Sequence, residues 1–280
     1  MPDVSEITLR PLETHDDFEA CIRLQRDTWG PDFADVVPAT ILMVSQRVGG
    51  VAAGAFDVNR RLLGFVFGIS GVRDGRRAHW SNMLAVRPEA RQAGLGRRLK
   101  LYQRDRLLEL GVEIAYWSFD PLVAKNASFN VNGLGAVPVE YVVNMYGDTD
   151  SPLHRGLETD RLVVEWRLTD PKVEAILSEG RPALPSQAED APIVVPDGPT
   201  GSTPGVRSPE LVDNPWVRLA VPPDIATMKA TCPDDAQRWQ RVTRRAFEHY
   251  FSCGYRVAGF ALASDGERAW YVLSSDGEEG

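Results

Sequence analysis

The chain has 280 residues, 43% hydrophobic and 25% charged, with a formal net charge of −8. That is apolar material for one ordinary core plus an appendage, and the acidic balance argues against broad nucleic-acid binding. No run of about 18 apolar residues offers a membrane span. Met1 to Ser5 begins no signal peptide, and Cys21, Cys232 and Cys253 are too scattered for a disulfide framework or a zinc site, so a cytoplasmic protein without a metal is expected.

Ile7 to Pro11 reads as a short strand, followed by a helix from about Asp16 to Thr28 with Phe18, Cys21, Ile22 and Gln25 inward. A second helix is expected from Ala39 to Arg47, entered after Pro38. Two strands, Gly50 to Val58 and Leu62 to Ser70, form a hairpin across the turn Asp57 to Arg61. His79 to Val86 is a further strand, ended near Arg87 because a residue before proline is held extended and the chain then turns.

Gly94 and Gly96 next open a helix whose apolar face is set by Leu95, Leu99, Tyr102, Arg106 and Leu110, with Leu107 and Leu108 beside them. A helix start carries unpaired N–H groups and the positive end of the macrodipole, and two glycines leave it open to an anion such as pyrophosphate. Arg91, Arg97 and Arg98 add formal charge around it. Val112 to Phe119 is a strand stopped by Asp120-Pro121, a short helix runs from Leu122 to about Asn132, and strands Val137 to Tyr146 and Leu162 to Leu168 close the set.

The glycine spacing differs from a dinucleotide fingerprint, and a Walker loop would need a Gly-Lys-Ser/Thr ending that is absent. Arg91-x-x-Gly94-x-Gly96 after Leu84-x-Val86-x-Pro88 instead resembles the coenzyme-A-binding motif of the GNAT superfamily of N-acyltransferases. The order strand, two helices, three strands, helix, strand, helix, two strands is the order that fold presents, and the resemblance covers residues 6 to about 169. It implies an α/β (α+β) chain with a mixed, mostly antiparallel split sheet flanked by helices, and a smaller α/β extension at the C-terminus. It also implies acetyl-CoA or another short acyl-CoA as co-substrate. The backbone of Leu84, Ala85 and Val86 would hold the pantetheine arm, and Asn126 would lie beside it. The amides of Arg91, Gln92, Ala93, Gly94, Leu95, Gly96 and Arg97 would hold the pyrophosphate.

Acyl transfer to an amine needs a neutral amine, a donor for the developing oxyanion and a proton for the leaving thiolate. Many GNAT enzymes place a glutamate on the strand before the cradle and a tyrosine on the helix after the next strand. Here that strand reads Ala78 to Met83 without a carboxylate, and Val131 stands at the tyrosine's place. His79 is the candidate base, against a plain strand-edge histidine. Ser81 and Asn82 lie on opposite faces of a regular strand, so one should face the cleft; Asn82 is the candidate hydrogen-bonding residue. Asp120 reads as a turn former before Pro121, and Tyr116 and Tyr141 as core or as proton donors.

For the acceptor, the resemblance places the segment Asp27 to Phe33 and the loop Gly147 to Arg161 over the pocket. Trp29 is then a pocket wall or a staple of its helix end. Arg161 or Arg155, in a stretch with His154, is a fork for a substrate carboxylate or one half of an internal ion pair.

Three parts are expected: an acyltransferase domain over 1–170, a Pro/Gly-rich linker or surface loop over 171–215, and a strand–helix–hairpin extension over 216–280. Within the extension a helix from about Asp234 to Cys253 presents Ala236, Trp239, Val242, Ala246, Phe247 and Tyr250 on one face. Leu219 to Asp224 echoes Leu84 to Glu89, either by chance or as a degenerate half of the same fold. The extension is too short to stand comfortably alone, so it packs on the main domain or on a second copy, as in a homodimer. Two functions remain: an N-acyltransferase acting on a small-molecule amine, such as an amino acid, and a non-catalytic acyl-CoA sensor or scaffold.

Overall fold

The computed structural model describes residues 6–147, 156–181, 183–184, 186–194, 211–263 and 268–275. His154, Arg155, the residues before Glu6 and residues 264–267 lie outside the described residues. The described chain forms two compact units, 6–117 with 166–170, and 118–147 with 156–165 and the residues from 171 onward.

The first unit begins with β1 (Thr8–Pro11), α1 (His15–Trp29) and α2 (Ala39–Arg47). Thr14 starts α1 in a capping box with Asp17, and Arg10 grips the Asp17 carboxylate at 2.7 and 2.9 Å, holding it well below the usual carboxylate range. Then come β2 (Val51–Phe56), β3 (Leu62–Arg73) and β4 (Arg76–Val86), a 3-10 turn over Pro88–Ala93, α3 (Leu95–Glu109), and β5 (Ile114–Phe119), whose last two residues belong to the second unit. Strands β1 to β4 pair antiparallel in chain order, and β5 joins β4 in parallel. Leu12, Phe18, Leu24 and Leu42 pack with Phe65, Phe67, Met83 and Ala85 in one core.

Two periodicity readings shift. Leu24 rather than Ile22 is buried on α1. On α3 the buried row is Leu95, Leu99, Gln103 and Leu107, with Lys100 beside it, while Arg106 and Leu110 are exposed. A row of four-residue steps runs through a polar Gln103, and a reading by apolar side chains alone leans away from it.

The second unit holds α4 (Ala124–Ala127), a π-helical turn Ser128–Gly133, β6 (Val137–Val142) and β7 (Arg161–Arg167), whose last two residues belong to the first unit. Strand β6 pairs antiparallel with β7. Then follow α5 (Pro171–Glu179), α6 (Ser186–Glu189), β8 (Ile193–Val194), β9 (Trp216–Val221), α7 (Ile225–Thr231), α8 (Pro233–Ser252), β10 (Arg256–Leu262) and β11 (Ala269–Ser274). These last strands make a second sheet in the order β10-β11-β9-β8. The sequence reading anticipated α8 but not α7. Its inward face is Ala236, Gln240, Thr243, Ala246, Phe247 and Tyr250, with Trp239 and Val242 half-buried. Asp224 caps α7 through the Thr227 amide at 3.1 Å, so a carboxylate fills the helix start after β9, where α3 begins with glycine. Among the described residues no helix is long and apolar enough to cross a membrane.

Candidate functional site

Strand β4 is irregular where the sequence reading assumed alternation. Its register with β3 runs Phe67↔Met83 and then Gly68↔Ser81, so Asn82 is the extra residue of a bulge. The bulge resets which face each residue takes. Ser81 reaches Lys100 and Gln103 of α3 before it, and Leu84 and Val86 lie within 4.0 Å of where a side chain on Gly96 would begin after it. Met83 and Ala85 join the core on the other face, and Asn82 itself is exposed.

Among the described residues β5 pairs with β4 only at His79↔Ala115 and Trp80↔Tyr116. Beyond Trp80, the β4 edge that faced β5 has no strand partner there and runs to Val86 and the start of α3. Gly94 forms that start with φ 63°, and no side chain caps the helix. A Cβ at Gly94 would meet nothing within 4 Å, and Gly96 follows in the first turn. Leu95 buries its side chain, leaving its backbone to the turn, and Gln92 and Ala93 lie in the preceding 3-10 turn. Two expected charges are occupied: Arg91 Nε donates to the Val86 carbonyl at 3.2 Å, and Arg98 Nη2 to the Ile7 carbonyl at 3.0 Å. Arg97 is half-buried in the first turn of α3. An open strand edge leading into an uncapped, glycine-opened helix suits a chain of amides ending in a pyrophosphate.

His79 is placed differently from the expectation. It is fully buried, and its hydrogen-bond pattern assigns the neutral tautomer with the proton on Nδ1. Ser70 Oγ donates to the Gly49 carbonyl at 2.6 Å and so accepts from Nδ1 at 3.0 Å. Nε2 accepts from Gln103 Nε2 at 3.0 Å, and Gln103 Oε1 accepts from Ser81 Oγ at 2.9 Å and Lys100 Nζ at 3.2 Å. Burial, and then the nearby Lys100 charge, push His79 down to about 3. An imidazole so enclosed takes no proton from an amine near neutrality. Its role here is to hold β3, β4 and α3 together. Lys100 lies over the Trp117 ring, its Nζ 3.5 Å from the centroid, and burial holds its ammonium well below the ordinary lysine range. The sequence reading missed Lys100 and Gln103; the available signal was a polar residue falling on the inward row of α3. Trp29 is half-buried at the end of α1, stacked on Phe33 at 5.6 Å and edge-on to Phe65 at 6.3 Å.

The second unit carries a separate polar group at the end of β5. Ser118 Oγ and Tyr146 Oη are 2.7 Å apart. Asp120 accepts from the Leu122 amide at 2.9 Å, as a turn former does, and burial raises its carboxyl despite the Arg161 charge. Arg161 is 7% exposed, donates to the Asp160 carbonyl at 2.8 Å, and lies 5.2 Å from the Tyr146 ring centroid. It therefore lies in the interior, where the sequence reading expected a pocket rim. Tyr141 donates to Asp160 at 2.6 Å. Val131 is buried, and Asn126 is exposed within the short α4. Among the described residues no cluster of His, Cys, Asp or Glu could hold a metal ion.

No family model matches the chain, and no curated protein matches it in sequence. Solved structures do. The NatC complex bound to Gag peptide and CoA is similar at 15% identity and TM-score 0.48, over 59% of this chain and 99% of that one. The ribosomal-protein-S18-alanine N-acetyltransferase from Escherichia coli follows at 20% identity and TM-score 0.45, over 59% and 95%. Aminoglycoside 6'-acetyltransferase type Ii is similar at 19% identity and TM-score 0.46, over 59% and 97%. By its own order of elements and the parting of β5 from β4, the chain has the GNAT fold through β7.

Proposed function

We propose that this chain is an acyl-CoA-dependent N-acyltransferase, passing acetyl or another short acyl group such as succinyl to the amine of a small molecule, an amino acid being the favoured class. The observation that carries the reading is the open edge of β4 from Ser81 to Val86 leading into the uncapped, glycine-opened start of α3. In this reading the backbone of Leu84, Ala85 and Val86 pairs with the pantetheine amides. The amides from Arg91 to Arg97 receive the pyrophosphate, and Asn126 serves the arm from α4.

The chemistry then rests on placement. Asn82, turned outward by the bulge, offers an amide donor to the acyl carbonyl. With His79 buried and Ala78 to Met83 free of carboxylates, the acceptor's proton leaves through water, and orientation lowers the barrier; well-oriented reactions gain about 7–11 kcal/mol. That burial of His79 also favours a second reading, a non-catalytic module that binds acyl-CoA as a sensor. A panel of acyl-CoAs crossed with a panel of amines, followed by release of free thiol, separates the two. Thiol release that depends on the amine supports transfer, and acyl-CoA binding without it supports the sensor.

A further inference from the structure

The second unit holds a cleft of about 400 Å³ between α6 and the start of β9, within the size range of small-molecule sites. Asn214, Pro215 and Trp216 line one side, Gln187 and Asp190 the other, and the buried Ala191 completes it. The first side is fixed through its backbone. Tyr255 Oη donates to the Asn214 carbonyl at 2.9 Å, and the Ser275 amide to the Pro215 carbonyl at 3.0 Å. The Trp216 amide donates to Asn214 Oδ1 at 3.0 Å. Ala191 is held as well: Arg218 Nε donates to its carbonyl at 2.8 Å, and the Arg218 amide to the Pro192 carbonyl at 2.9 Å.

The side chains lining this cleft keep most of their polar groups for a ligand. Among the described residues the Asn214 amide nitrogen, the Trp216 indole N–H and the Asp190 carboxylate make no hydrogen bond, and Gln187 Oε1 has only Ser186 Oγ, at 3.5 Å. The Trp216 ring is half-buried. Burial lowers the Arg218 guanidinium and the nearby Asp190 charge opposes that shift, so the one acid of the cleft is already balanced. A cation would meet Arg218 as well as Asp190, and an anion would meet Asp190, which leaves a neutral ligand. Each carboxamide offers a donor and an acceptor, and the carboxylate accepts. A hydroxyl group satisfies either kind. A pyranose ring carries hydroxyls around its edge and a C–H face that suits the negative face of an indole.

We propose that the second unit binds a neutral pyranose sugar in this cleft: Trp216 carries the ring, and Gln187, Asp190 and Asn214 take its hydroxyls. The backbone bonds that fix Asn214 to Trp216 lower the ordering cost of binding. The site is separate from the acyltransferase reading and stands or falls without it.

The test titrates the full-length, nitrogen-15-labelled protein with the methyl β-pyranosides of glucose, galactose and mannose, and with choline and inorganic phosphate as charged probes. At least one glycoside should shift the Trp216 indole signal and the Asn214 and Gln187 side-chain amides saturably, while the Tyr271 and Val272 amides of β11 stay in place. Trp216→Ala and Asp190→Asn should each weaken that glycoside about tenfold or more. If Trp216→Ala does not fold, Gln187→Ala replaces it, since Gln187 and Asp190 are exposed and their loss leaves the core intact. No saturable shift with any of the three glycosides would overturn the proposal. So would choline or phosphate moving these signals at a lower concentration than every glycoside, or an affinity unchanged in either folded variant.

Discussion

Gly96 separates folding from binding with opposite signs. It sits in the first turn of α3 without a positive φ, and a Cβ there would stand 3.9 Å from Leu84 Cδ2 and 4.0 Å from Val86 Cγ2, ordinary contact distances. Gly96→Ala should therefore stabilise the fold by about 0.5–1 kcal/mol, the usual gain on leaving glycine within a helix. Gly96→Glu keeps most of that gain, and its carboxylate near the positive helix end adds about 0.3–1 kcal/mol. The same carboxylate stands where a pyrophosphate would approach. Acyl-CoA affinity should fall by well over tenfold, more than about 1.4 kcal/mol. Gly94→Ala serves as contrast: at φ 63° an added Cβ costs about 1–2 kcal/mol of stability despite the open space around it. Calorimetry with acyl-CoA and urea unfolding read the two effects. A folded Gly96→Glu with unchanged affinity would remove this turn from the coenzyme site.

Because His79 has its folded pKa near 3, below its ordinary 6.5, the native state binds fewer protons between those values. Stability should fall as pH drops through that window, by up to about 1.4 kcal/mol per unit. Urea midpoints for His79→Gln should lack this limb, and an identical acid profile would refute the buried neutral tautomer. Gln103→Leu strands His79 Nε2 and removes acceptors from Ser81 and Lys100, and should lose about 2–4 kcal/mol. Lys100→Met leaves the Ser81–Gln103 bond in place and should fall within about 1 kcal/mol of wild type; equal losses in the two variants would contradict Gln103 as the centre of the network. Asn82→Ala should lower kcat roughly tenfold or more with the acyl-CoA KM and stability kept, since the side chain is exposed and its bulge is a backbone feature. An unchanged kcat would free Asn82 of any part in the chemistry.

The order of elements through β7 was readable because each is announced locally. Proline ends β4, paired glycines open α3, and the hairpin of β2 and β3 is short enough for its turn to show. What escaped was set by contacts distant in sequence. The bulge at Asn82 follows from pairing with Phe67 and Gly68, and a one-residue slip reassigns every later side chain to the other face. Lys100 and Gln103 looked solvated by residue type and are interior because Ser81 and His79 meet them. Arg161 was read as a rim charge or half of an internal ion pair because the resemblance lays the loop before it over the pocket, and it lies buried beside Asp160.

These displacements share one physical cause that bears on the chemistry. A histidine on a sheet strand tempts a catalytic reading, but an imidazole can act as a base only where its protonated form can be stabilised. Around His79 the acceptor capacity is spent: Ser70 Oγ takes the Nδ1 proton, and the Gln103 amide presents its donor to Nε2 because Lys100 and Ser81 already claim its oxygen. Protonating Nε2 would require Gln103 to turn over, taking its oxygen away from Ser81 and Lys100 in a pocket walled by Trp117 and Trp166. The network therefore locks a neutral histidine and a fixed β4 together, and gives up the base to do so. In the acyltransferase reading, the backbone edge and the outward amide of Asn82 are then the groups at the β4 bulge that would meet a substrate. Under the proposed function such a strand would work by holding an acyl group still, which is the part of the reaction that needs no titrating side chain.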